Sequence, residues 1–81
     1  MDSLLIAFDS TQQALRAEML LEYAEVEIDI RPTPKEITAG CALSIEFPQE
    51  ALEQVQRIIV EEKVEIRGLF RPSGGGYERI D

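Results

Sequence analysis

A chain of 81 residues, 44% hydrophobic and 30% charged, has the make-up of one small folded domain. At that size only about 60% of the unfolded surface is buried on folding, so an extended catalytic cleft is not expected. Sixteen acidic residues against eight basic ones give a net charge of -8, which repels a phosphate backbone and argues against nucleic acid as a partner.

The first element is the apolar run Leu4-Leu5-Ile6-Ala7-Phe8, too short to span a membrane, and Asp2 stands where a signal peptide would carry positive charge. The chain therefore reads as cytoplasmic, with no membrane association. Asp9-Ser10 stops this strand, and Ser10-Thr11-Gln12-Gln13 offers a capping box for a helix from Thr11 to Ala24. Ala14, Ala17, Leu20, Leu21 and Ala24 form its core face. Leu15, Met19 and Tyr23 make a second stripe, read either as a broader core face or as a contact for a partner, a homodimer included.

Val26, Ile28 and Ile30 alternate with Glu27, Asp29 and Arg31, a period of two that predicts a strand with one wet face. Pro32 and Pro34 end it. The loop they gate runs through Lys35, Glu36, Ile37, Thr38, Ala39 and Gly40 to Cys41. Leu43, Ile45 and Phe47 then alternate with Ser44 and Glu46 as a third strand, so Ile45 and Phe47 are expected to differ in burial from Ser44 and Glu46. Pro48 opens a second helix, Gln49 to Lys63, with Ala51, Leu52, Val55, Ile58 and Ile59 as its apolar stripe. Val64, Ile66 and Phe70 predict a last strand with a bulge at Gly68, and Pro72-Ser73-Gly74-Gly75-Gly76 reads as a flexible hinge before a frayed end.

The expected class is α+β: a ferredoxin-like βαββαβ two-layer sandwich with an antiparallel sheet of order 4-1-3-2, its most apolar strand central. Residues 1–71 form the single domain and 72–81 a Gly-rich C-terminal tail.

Cys41 is the one good nucleophile, and with no histidine in the chain, triads of Cys or Ser with His are excluded. A lone cysteine forms no internal disulfide and persists as a thiol in a reducing compartment. Two readings stand side by side. Following Gly40 in a loop, with Lys35 and Arg31 nearby in sequence, the thiol sits in a cationic setting that favours thiolate chemistry. Alternatively it shares the odd register of Leu43, Ile45 and Phe47 and packs as a small hydrophobe. The carboxylates are scattered and lack ligand spacing, so no metal and no cofactor is expected.

Phe8-x-Ser10, the helix pattern Ala14-Leu15-x-Ala17-Glu18-x-x-Leu21, Arg31-Pro32-x-Pro34-Lys35-Glu36-Ile37 and Gly40-Cys41 together resemble the small proteins described as putative selenium/sulfur carrier-like. The likeness covers roughly the first two thirds of the chain. It implies a carrier rather than a turnover enzyme: Cys41 would hold a persulfide-type sulfur, or selenium, received from a donor protein and passed to an acceptor enzyme. Gly40, Lys35, Arg31 and Pro34 would support that thiol. Family members usually carry Arg where Lys35 stands and Gly where Ala42 follows the cysteine; Lys keeps the charge without the planar fork, and Ala42 restricts the backbone beside the thiol. The alternative is a non-catalytic regulatory or interaction module with a structural Cys41. Redox sensing is disfavoured for want of a resolving cysteine.

Overall fold

The computed structural model describes residues 2–37 and 39–81; Met1 and Thr38, the latter in the proline-gated loop, lie outside the described residues. In chain order the elements are β1 (Ser3–Ala7), α1 (Thr11–Tyr23), β2 (Asp29–Pro32), β3 (Leu43–Pro48), a 3-10 turn (Gln49–Ala51) leading into α2 (Leu52–Glu61), β4 (Gly68–Ser73) and β5 (Gly76–Arg79). The strands form one antiparallel sheet in the order β2-β3-β1-β4-β5.

The class is α+β, with two helices and five strands among the described residues, and the four-stranded ferredoxin-like sheet of order 4-1-3-2 is corrected to this five-stranded one. Strands β4, β1, β3 and β2 do lie in sequence across the sheet, but a fifth strand extends it beyond β4. Its cause is local. Gly74 and Gly75 both take positive φ, 54° and 86°, which suits a two-residue hairpin turn whose twist matches that of its strands. What read as a hinge and a frayed end is therefore a hairpin, with Arg71 paired across to Glu78 at 3.2 Å. Its end is tied down as well: the Leu69 amide donates to Asp81 Oδ1 at 3.1 Å and the Ile80 amide to the Leu69 carbonyl at 2.8 Å.

Strand β1 is buried on both faces. Leu4, Ile6 and Phe8 join Ala14, Ala17 and Leu21 of α1, Val55 of α2, and Ile45 and Phe47 of β3 in the main core. Leu5 and Ala7 point the other way, where Ile37 of the β2–β3 loop, Ala39 and Phe70 cover them in a second, smaller cluster. Burying one such large apolar side chain contributes about 1.5–3 kcal/mol. Ser44, paired with Ala7, lies on this second face and is fully buried, as is Ile45. The expected contrast across β3 therefore fails at Ser44, because the loop seals the face that alternation alone would leave wet.

Both helices end alike. After α1, Glu25 takes φ 63° while the Val26 amide reaches the Leu21 carbonyl and the Glu25 amide reaches Glu22; after α2, Lys63 takes φ 55° with Val64 bonded to Ile59 and Lys63 to Val60. This is the Schellman arrangement, in which the residue after the left-handed one is apolar and tucks inward, and Val26 and Val64 are both buried. The residues predicted as strand starts thus act as helix stops. Accordingly β2 begins only at Asp29, an edge strand exposed throughout, and β4 begins at Gly68, without Val64 or Ile66. The Ser10 side chain makes no cap hydrogen bond, and the capping box is not formed: Gln13 Oε1 instead accepts the Glu65 amide at 3.2 Å.

Candidate functional site

Cys41 lies where the β2–β3 loop returns to the sheet. Its amide donates to the Phe8 carbonyl at 3.0 Å, just past the end of β1, which fixes the residue beside the first turn of α1. The thiol faces the helix side, and the residue is 4% exposed. The odd register with Ile45 and Phe47 therefore places it in the main core, and an exposed loop thiol is not what the fold presents.

The sulfur nonetheless has polar company. The Leu43 amide donates to Sγ at 3.3 Å, and Thr11 Oγ1, on the first residue of α1, lies 3.4 Å from it. The second contact works with either atom as donor, so it is retained whether or not the sulfur carries a proton. Thr33 stitches the two sides of the loop together: its amide donates to Ala42 O at 2.8 Å, and its hydroxyl donates to Cys41 O at 3.0 Å and lies 2.7 Å from Ser44 Oγ. No buried side-chain polar atom among the described residues lacks a partner, which accounts for how a serine and a threonine are tolerated under the loop.

The cations expected beside the thiol are directed elsewhere. Arg31 Nε bonds Glu46 Oε1 at 3.1 Å on the exposed edge of the sheet. Lys35 is exposed in the turn after Pro34, whose carbonyl accepts the Ile37 amide at 3.0 Å; its neighbour Glu36 approaches Gly76 of β5 on the other side of the sheet from β2. The sulfur's partners are Thr11 and Leu43, not Lys35 or Arg31.

Gly40 is brought in for a different reason from the one its sequence position suggested. A Cβ there would stand 2.7 Å from the Asp9 carbonyl oxygen, so the loop crosses the β1–α1 turn too closely for any side chain. The Gly40 amide donates to Asp9 Oδ1 at 2.9 Å, and Asp9 Oδ2 lies 3.5 Å from Arg67 Nη1. Arg67 is itself anchored, its amide bonding the Ala7 carbonyl at 2.7 Å. Asp9, Thr11, Thr33 and Arg67 escaped the sequence reading. Asp9 registered only as a strand stop, and nothing in local spacing links residue 9 to residue 40.

A shallow groove lined by Asp9, Ser10, Gln13, Glu65 and Ile66 opens beside this crossing. Among the described residues no group of three or more His, Cys, Asp or Glu gathers to hold a metal, and no helix is long and apolar enough to cross a membrane. On the outer face of α1, Leu15, Met19 and Tyr23 are 52%, 64% and 90% exposed, so the stripe does not broaden the core.

No curated protein and no solved structure matches the chain. One family does, over residues 3–71, a span that runs from the start of β1 into β4 and includes the whole Cys41 loop. The chain belongs to the family described as Putative Se/S carrier protein-like.

Proposed function

We propose that this protein is a carrier that holds a sulfur or selenium atom on Cys41 for transfer between two proteins in a reducing, cytoplasmic compartment. The observation that carries the reading is the seat of the sulfur: it lies at the first turn of α1, with the Leu43 amide and the Thr11 hydroxyl directed at it, in a family whose description names that cargo. In loading, the Cys41 thiolate attacks the outer sulfur of a donor persulfide. One S–S bond forms, the donor's S–S bond breaks, and the donor leaves as thiolate, so there is no net oxidation. Delivery is the same exchange in reverse order: an acceptor thiolate takes the outer sulfur and Cys41 is released as thiolate. Neither step needs a base, a metal or a cofactor.

Because the residue is almost wholly buried, the loop ahead of it must part from the β1–α1 turn before a donor can reach the sulfur. The partners are proteins, and the acidic surface steers their basic patches toward this one. Leu15, Met19 and Tyr23 supply the apolar part of the docking face, since Leu15 lies one helical turn beyond Thr11.

Incubation with a cysteine desulfurase and cysteine tests the reading. Mass spectrometry of the intact protein is expected to find one added sulfur, removed by reductant and absent in Cys41→Ser. The serine hydroxyl inherits the Leu43 and Thr11 partners, so the variant is expected to fold at a cost of about 1 kcal/mol. The burial of Cys41 favours a second reading, an interaction module with a structural cysteine. Under that reading saturating donor leaves the mass unchanged.

A further inference from the structure

We infer that Asp9 is a latch on the Cys41 segment, holding the sulfur in its seat and setting how often the thiol is presented to solvent. Three observations at one crossing converge on it. The Asp9 carboxylate accepts the amide of Gly40, the residue immediately before the cysteine. Its other oxygen faces Arg67, whose backbone is bonded to β1, so the carboxylate bridges the loop to the rigid centre of the sheet. The backbones of residues 9 and 40 approach so closely that a Cβ on Gly40 would meet the Asp9 carbonyl oxygen at 2.7 Å. The next link along the chain, the Cys41 amide to Phe8 O, closes the same seam, and the sulfur of that same residue makes the contact to Thr11. To uncover Sγ the chain must open this seam, and among the described residues Asp9 is the side chain that bonds the loop backbone across it.

Asp9 is thus a positioning residue: it touches Gly40 and Arg67, not the sulfur. The carboxylate is about half exposed, so its pairing with Arg67 is weak by itself and serves mainly to orient the oxygen that accepts from Gly40. The latch gives the carrier reading a means of control, since a partner that competes for Arg67 or for the Asp9 carboxylate would loosen the loop as it docks. That consequence rests on the carrier reading; the latch itself does not.

The test is the rate at which iodoacetamide alkylates Cys41 in the folded protein, which requires no donor or acceptor. In Asp9→Ala the rate is expected to rise about five- to ten-fold, the order of effect of losing one hydrogen bond of ordinary strength, since the half-exposed carboxylate is screened by solvent. Asp9→Asn, which keeps an oxygen for the Gly40 amide, should return most of the way to the original rate. Val55→Ala, in α2 and outside the hydrogen bonds of the seam, serves as the control for general destabilisation: its alkylation rate should stay near that of the parent protein. Gly40→Ala opens the same seam by collision and is expected to accelerate alkylation as well, and it decides the matter if Asp9→Ala does not fold. An Asp9→Ala rate within two-fold of the parent, or an equal acceleration in Val55→Ala at matched stability, overturns the latch. Failure of persulfide loading with the alkylation pattern intact would remove the carrier function and leave the latch standing.

Discussion

The two faces of the central strand β1 are covered by different means. On one, Leu4, Ile6 and Phe8 pack against two helices that belong to a thirteen-residue buried cluster. On the other, Leu5 and Ala7 are closed over by an irregular loop that, among the described residues, inserts Ile37 on this face. The helices bring many mutually supporting contacts and their own internal hydrogen bonds. The loop holds its place through a few specific links, at Thr33, at Gly40 and at Cys41. Segments held by few contacts open at lower free energy than the core does, and the carrier proposal requires such an opening, because the thiol is buried on the helix side but carried by the loop.

The largest effect should come from the helix face. Phe47→Ala removes a wholly buried ring from the main core and is expected to cost about 3–5 kcal/mol, a sizeable share of the roughly 5–15 kcal/mol that holds a small domain together. Urea unfolding followed by circular dichroism measures it, and a cost below that of the loop substitution described next would overturn the ranking of the two faces. Ile37→Ala should cost about 2 kcal/mol, the low end for such truncations, because an irregular loop can settle into the space left behind. It should also quicken alkylation of Cys41, which Phe47→Ala at the same residual stability should not.

The smallest effect belongs to the tie at the end of the hairpin. Burial works against ionisation of Asp81, but hydrogen bonds from Arg79 and the Leu69 amide, with the charge of Arg79, outweigh it and hold the carboxyl below its ordinary value of 3.8. A carboxyl lowered in the folded state stabilises the fold above the unfolded value and ceases to do so as pH falls through the folded one. Stability contributed by this group is therefore full at neutral pH and fades below about pH 4. Asp81→Asn should flatten the acid limb of a stability profile slightly while leaving the Cys41 alkylation rate unchanged; a profile identical to the parent's would show that the tie contributes nothing.

The contrast between the faces also explains what the sequence revealed. The helix face follows from periodicity: Ala14, Ala17 and Leu21 at helical spacing, and Ile45 with Phe47 at a period of two, lie where such spacing places them. The ends of the elements were less legible, because Val26 and Val64 look like the first residues of strands whereas each is the apolar residue that closes a Schellman turn. Burial of Ser44 had no local signal at all, being decided by a loop that comes back over it. Cys41 was singled out by its chemistry, and the parity of its register did foretell its burial. Its neighbours Thr11 and Asp9 are distant in sequence, and only the pairing of β1 with β3 brings them together. Arg31 and Lys35, singled out by nearness in sequence, make no hydrogen bond to the sulfur.

On the carrier proposal, Cys41 becomes reachable by local opening of the loop while the helix-covered core stays closed. The direct measurement is the rate of Cys41 alkylation across a series of urea concentrations well below the unfolding transition. Local opening exposes little surface, so the expected rate hardly changes with urea and exceeds by far the limit set by global unfolding. A rate that rises with urea along the global unfolding line, so that the thiol reacts only in unfolded molecules, would contradict the claim and leave Cys41 as packing.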